Sequence, residues 1–241
     1  MQQFAFSDYL AYAECIIGLA ALLVALLGGV TVLQRRSDVA GKLMGWSALI
    51  LFIGYALFFA PRILAALAGT ENAFWLLVGR MATALAVTVF FVLMSLLWEK
   101  LYEKKNSYYA ERAVRDLAGI RALGCVGPVV LHLSALLQGE ETGDLFGGSV
   151  WLALIVPAVR CVPLLIVALI VAAHWRKTRD ALPTLNNVWL FLILSALFGI
   201  ASDVGAVFVP ALEYLYFPQL VCLLWIVLLF VRFAGETGEK H

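Results

Sequence analysis

The sequence predicts an all-α integral membrane protein, a bundle of about seven transmembrane helices with its N-terminus outside and its C-terminus cytoplasmic. Three observations carry that prediction. Hydrophobic residues fill 63% of the 241 positions and charged residues only 14%, against roughly 25% charged in a soluble domain. The apolar residues fall in blocks of about 20 or more, the length a helix needs to cross the hydrocarbon layer. The basic residues flank those blocks on one side only, as the positive-inside rule requires.

Seven blocks are read, at about 9–33, 43–68, 73–98, 117–138, 149–174, 185–209 and 211–233, forming one transmembrane domain over 1–241. The first carries no Lys or Arg before it and has Asp8 and Glu14 near its start. It reads as an uncleaved anchor rather than a signal peptide. The fourth has the weakest helix propensity, with Gly119, Gly124, Gly127 and Pro128. The sixth and seventh are separated only by Val209, Pro210 and Ala211, which predicts a tight hairpin.

Orientation follows from charge. Arg35, Arg36 and Lys42 follow the first block. Lys100, Lys104, Lys105, Arg112, Arg115 and Arg121 follow the third. Arg176, Lys177 and Arg179 follow the fifth, and Arg232 and Lys240 close the chain. The opposite loops hold no basic residue and carry Asp8, Glu71, Glu140, Glu141 and Asp144. Tyr9, Tyr12, Trp46, Trp75, Trp98, Trp151, Trp175 and Trp189 fall near block ends, where amphipathic rings favour the headgroup layer. The first and fifth blocks are each followed by a basic turn, and Trp46 and Trp189 come seven or eight residues later. A 3+1+3 arrangement of two parallel repeats is one way to build such a chain.

Ionisable residues inside the blocks carry the functional information. They are Glu14, Arg62, Arg80, His132, Arg160 and Asp203, with Glu213 opening the seventh block. A charge at the bilayer centre costs roughly 3 kcal/mol or more, so such groups face the bundle interior, a wet cavity or a partner. At 1.5 Å per residue, Glu14, Arg62, Arg80, His132 and Asp203 lie roughly 8–12 Å below the outer helix ends, and Arg160 roughly 16 Å. The inner half offers little more than Thr31, Ser47, Thr88, Ser95 and Ser195. Arg160 stands between Pro157 and Pro163, each of which removes a helical hydrogen bond and predicts a kink or local unwinding.

Two readings share these residues. In one, Arg62, Arg80, Arg160 and His132, with Glu14 and Asp203, line an outward-facing pocket. Guanidinium forks suit a carboxylate, phosphate or sulfate head, and the lipid level suits an apolar body. In the other, Arg62, Arg80 and Arg160 balance Glu14, Asp203 and Glu213 in a structural network. The expected function is a ligand-binding or sensing protein of the cell membrane, for a small anionic or amphiphilic molecule. Its partners are the lipid bilayer and a cytoplasmic or membrane protein that reads its state. A small anion transporter is the alternative; a subunit of a larger complex or a lipid-acting enzyme comes after it.

Other chemistry has little support. Cys15, Cys125, Cys161 and Cys222 all sit in apolar runs, without a CxxC, and only three histidines exist. No metal or haem site, and no cofactor, is expected. Residues 211–233 contain no lysine, which excludes an ordinary retinal Schiff base in the last helix. No nucleophile or metalloprotease motif is present, so no enzyme is expected. No basic domain suggests nucleic acid.

Overall fold

The computed structural model describes residues 6–68, 73–102, 161–162, 164–169, 171–173 and 183–238. The described residues are helical apart from short turns, without a strand. Helix α1 spans Phe6–Arg35, α2 Val39–Ala68 and α3 Ala73–Tyr102. Helix α4 spans Pro183–Gly205; a 3₁₀ helix, Pro210–Leu215, then leads into α5, Tyr216–Gly238. Five spans are long and apolar enough to cross a membrane, with mean hydropathy from 1.9 to 2.7. This is the pattern of a multi-pass helical membrane protein. The block expected at 117–138 lies outside the described residues, and so does much of the one at 149–174.

Small residues set the helix register, because a missing side chain lets backbones approach. Gly29 meets Leu49 and the Gly45 carbonyl, and Gly18 meets Phe59, so α1 and α2 are antiparallel. Gly54 meets Ala86, and Gly79 meets Leu57 and Phe58, so α2 and α3 are antiparallel. Gly28 meets Val227 and Gly235 meets Arg35, so α1 and α5 run parallel. Gly199 meets Gln219 and Gly205 meets Leu212, so α4 returns against α5. The starts of α1, α3 and α5 therefore share one end with the finishes of α2 and α4. That end is termed the polar end. Arg35, Arg36, Lys42, Lys100 and Arg232 lie at the other, the basic end.

Proline shapes two places. Pro61 lies inside α2, which nevertheless continues to Ala68. A proline at 61 leaves the Leu57 carbonyl without its usual donor. An added Cβ on Gly79 would sit 2.6 Å from that oxygen, so the bare glycine backbone of α3 lies directly against it. The second place corrects the expected hairpin. Instead of a three-residue turn, α4 stops at Gly205, and Val209 is extended, with φ −134° and ψ 101°. Pro210 then opens the 3₁₀ helix, and regular α-helix resumes at Tyr216. Pro210 has no N–H to lose at a first helical position.

The core is aromatic and aliphatic: Tyr55, Phe59, Phe90, Phe91, Leu97, Leu192 and Phe230 are each at most 3% exposed. Trp98 and Trp189, expected at the headgroup layer, pack edge to face at 4.7 Å between centroids and are each 1% exposed. Their rings are spent on joining α3 to α4, whereas Trp46 and Trp75 are more than half exposed, as belt residues are. Three buried hydroxyls are satisfied within their own helices: Ser47 donates to the Met44 carbonyl, Thr88 to Ala84 and Ser195 to Leu192. Thr83 reaches the carbonyls of both Gly79 and Gly54, each at 3.0 Å, and so ties α3 to α2. One face of α1 exposes Ile16, Leu19, Leu23 and Leu27, a face that lipid accommodates without cost.

Candidate functional site

The polar end holds a cluster assembled from α1, α2, α3, α4, the 3₁₀ helix and α5. Its deepest part is Arg62, near the finish of α2. The Arg62 Nε lies 3.1 Å from Glu14 Oε1 on α1. Its Nη1 donates to the Phe58 carbonyl one turn back, at 2.9 Å. Its Cζ stands 3.7 Å over the Phe58 ring. Phe58 and Arg62 are four residues apart, so one helix face presents both. Glu14 Oε1 also accepts from the Tyr216 hydroxyl, at 2.7 Å. Tyr216 in turn packs edge-on against Phe58, at 5.3 Å between centroids. The result is a closed clasp, in which each polar group has a partner and the side chains of Arg62 and Glu14 are 17% and 26% exposed.

A second pair lies beside it. Arg80, seven residues into α3, contacts Glu213 of the 3₁₀ helix at 2.5 Å. These side chains are 52% and 46% exposed, so this pair is open where the first is closed. The two arginines are within electrostatic reach of each other, and Arg62 also feels Glu213. Ser202 on α4 donates to the Glu213 backbone carbonyl at 2.9 Å. The 3₁₀ helix is thus held from two sides, by Arg80 through a side chain and by Ser202 through backbone.

Asp203, next to Ser202, stands apart from both pairs. Its Oδ2 lies 3.7 Å from the Cys161 thiol. It is also within electrostatic reach of Tyr55. Among the described residues it makes no ion pair.

The structure therefore brings together three of the six residues singled out from sequence, Glu14, Arg62 and Arg80, and places Asp203 near the same end of α4 in contact with Cys161 instead. His132 and Arg160 lie outside the described residues. Glu213, treated in the sequence as an accessory group, is the partner of Arg80. Sequence reasoning missed Tyr216, Phe58, Ser202 and Tyr55. Phe58 was legible as the apolar neighbour one turn below Arg62. Tyr216 and Tyr55 gave no signal, because an aromatic hydroxyl in an apolar block reads as core or belt.

No metal-binding group of three or more His, Cys, Asp or Glu occurs among the described residues. Cys161 and Cys222 are buried, and no disulfide joins Cys15, Cys161 and Cys222 to one another. At the basic end, Arg36 grips Asp38 with two 2.8 Å contacts and lies 4.8 Å from the Phe233 ring centroid. Burial works against charge on Asp38, but the Arg36 guanidinium overcomes it and holds that carboxyl below its ordinary range.

Searches against protein-family models, curated proteins and solved structures each return no match. The chemistry of the polar end is what points to a function.

Proposed function

We propose that this chain is a seven-helix membrane sensor or binding protein, whose polar end takes up a small amphiphile with an anionic head. The observation that carries the proposal is the contrast between the two arginines. Arg62 is committed to three partners and shielded. Arg80 is half exposed and held by one carboxylate on a short, strapped segment. An anionic head competes with Glu213 for the Arg80 fork, and an apolar tail lies along the exposed helix faces in lipid. Release of Glu213 loosens the 3₁₀ helix, which continues directly into α5. Helix α5 packs on α1, α2 and α4 and ends among the basic residues. That gives ligand occupancy a mechanical route to the other side of the membrane.

Parity of the chain path supports seven spans. Helix α3 finishes at the basic end and α4 begins there, and an even number of apolar blocks separates them in the sequence. Two crossings fit the apolar blocks at 117–138 and 149–174. The one-sided basic residues support an outside N-terminus and a cytoplasmic C-terminus.

The test uses the full chain in nanodiscs of neutral lipid. Decanoate is expected to raise the unfolding temperature saturably, while decanol does not. Arg80→Gln abolishes that shift, whereas Arg232→Gln at the basic end retains it. An equal decanoate response in Arg80→Gln refutes the site. Rapid flux of labelled decanoate in proteoliposomes, dependent on Arg80, would turn the reading from sensing to transport.

A further inference from the structure

The Arg80–Glu213 pair and the Glu14–Arg62 clasp meet on one short stretch of chain. Glu213 lies in the 3₁₀ helix, and Tyr216 follows that helix immediately. The Tyr216 N–H donates to the Glu213 carbonyl, which also accepts from the Ser202 hydroxyl at 2.9 Å. Residues three apart in a 3₁₀ turn are eclipsed, so one side of this strap presents both side chains. Glu213 reaches Arg80, and the Tyr216 hydroxyl reaches Glu14 Oε1 at 2.7 Å.

A second connection closes the circuit. Tyr216 packs on the Phe58 ring at 5.3 Å between centroids, and the Arg62 Cζ stands over the same ring at 3.7 Å. Phe58 lies in the turn that Pro61 weakens, because proline removes a helical hydrogen bond. A Cβ added to Gly79 would lie 3.0 Å from the Phe58 Cα, so that turn bears directly on the residue before Arg80. The path from Arg80 through Glu213, Tyr216, Phe58 and Gly79 thus returns to its start. An anion that takes the Arg80 fork is repelled by Glu213 as long as that carboxylate stays beside it. Movement of the strap relieves the repulsion, and the strap carries Tyr216 with it.

We infer that Tyr216 is an autoinhibitory latch: its contacts with Glu14 and Phe58 hold the strap, and with it Glu213, against Arg80. The inference rests on the reading of Arg80 as the anion site, and adds that affinity is set by contacts on α1 and α2 rather than by the arginine alone. The anion binds the unlatched state, and apparent affinity falls in proportion to the fraction of molecules that are unlatched. Weakening the latch therefore tightens anion binding while it lowers stability, two effects that a purely structural role does not combine.

The experiment measures the decanoate concentration that gives half of the saturable rise in unfolding temperature, with the full chain in nanodiscs of neutral lipid. Tyr216→Phe keeps the ring and loses the hydroxyl. It is expected to lower that midpoint roughly threefold or more, the worth of one hydrogen bond between membrane helices. Glu14→Gln leaves Tyr216 an acceptor, so it should shift the midpoint less than Tyr216→Phe although it costs more stability. Trp189→Leu, which breaks the ring contact with Trp98 at the basic end, leaves the midpoint unchanged. An unchanged or raised midpoint in Tyr216→Phe overturns the latch, as does an equal gain in Trp189→Leu. If Tyr216→Phe does not fold, Phe58→Leu carries the same expectation and the same refutation. A ligand-free arm separates the latch from the anion site. In unfolding equilibria of Glu213→Gln, Tyr216→Phe and the double variant, the effects should depart from additivity by about threefold or more. Additivity to within about twofold overturns the latch even where the wild type shows no decanoate response. Coupling without a decanoate response keeps the link between pair and clasp and refutes the anion site alone.

Discussion

Removing the Glu14 carboxylate tests the clasp most directly. In Glu14→Gln, the Arg62 guanidinium loses its counter-charge at a site where its side chain is only 17% exposed. Breaking one side of a buried pair costs about 3–5 kcal/mol. Arg62 keeps two consolations, the Phe58 carbonyl at 2.9 Å and the Phe58 ring at 3.7 Å. Their survival places the loss near the lower figure, about 3 kcal/mol. The Tyr216 hydroxyl can still donate to the Gln oxygen, so Tyr216→Phe alone should cost less, about 0.6–1.7 kcal/mol for a hydrogen bond between membrane helices. Removing both charges in Glu14→Gln with Arg62→Met should recover a substantial part of the single-mutant loss, because no uncompensated charge remains. Equilibrium unfolding in mixed micelles with increasing dodecyl sulfate gives each free energy. A Glu14→Gln loss under about 0.5 kcal/mol, or a double variant no better than the single one, refutes the clasp as a desolvated ion pair.

Other consequences can be checked the same way. The Arg80–Glu213 pair is half exposed, so Glu213→Gln should cost at most about 1 kcal/mol in the same titration. Gly79→Ala places a Cβ 2.6 Å from the Leu57 carbonyl oxygen and 3.0 Å from the Phe58 Cα, both backbone. It should cost about 1–3 kcal/mol. Gly199→Ala meets the movable amide of Gln219 and should cost less than Gly79→Ala in parallel melts. For Asp38, the folded carboxyl is held below its ordinary value by Arg36. Its stabilisation is fully present above about pH 3.9 and is lost as pH falls through the lower folded value. Asp38→Asn should therefore lower the melting temperature modestly at neutral pH, by an amount that shrinks as pH falls, and so flatten the acid side of the profile. Cysteines placed at Ser37, just before α2, and at Ala68, its last residue, in a background free of native cysteines should label from opposite sides of sealed vesicles. Labelling of both from one side contradicts a full crossing by α2.

The spans at 9–33, 43–68, 73–98 and 185–209 were legible because lipid imposes a one-dimensional rule: a helix must satisfy its backbone internally and stay apolar for about 20 residues. That rule also announced that Glu14, Arg62, Arg80 and Asp203 need company. It does not say whose. Charge balance alone set three arginines against three carboxylates without assigning pairs. Tertiary packing chose Glu14 for Arg62 and Glu213 for Arg80, and it enlisted Tyr216 for Glu14 from far along the chain. It also turned Trp98 and Trp189 inward, since a large ring at a helix end can fill a gap between helices as readily as face the headgroups. Composition and order along the chain thus suffice to show that these segments can cross a membrane and that buried charges must be compensated, because both follow from transfer energies summed residue by residue. Which charge meets which, and that neither Arg62 nor Arg80 is the partner of Asp203, came from packing in three dimensions. Such pairings depend on which helix faces touch, and a uniformly apolar stretch carries no record of that.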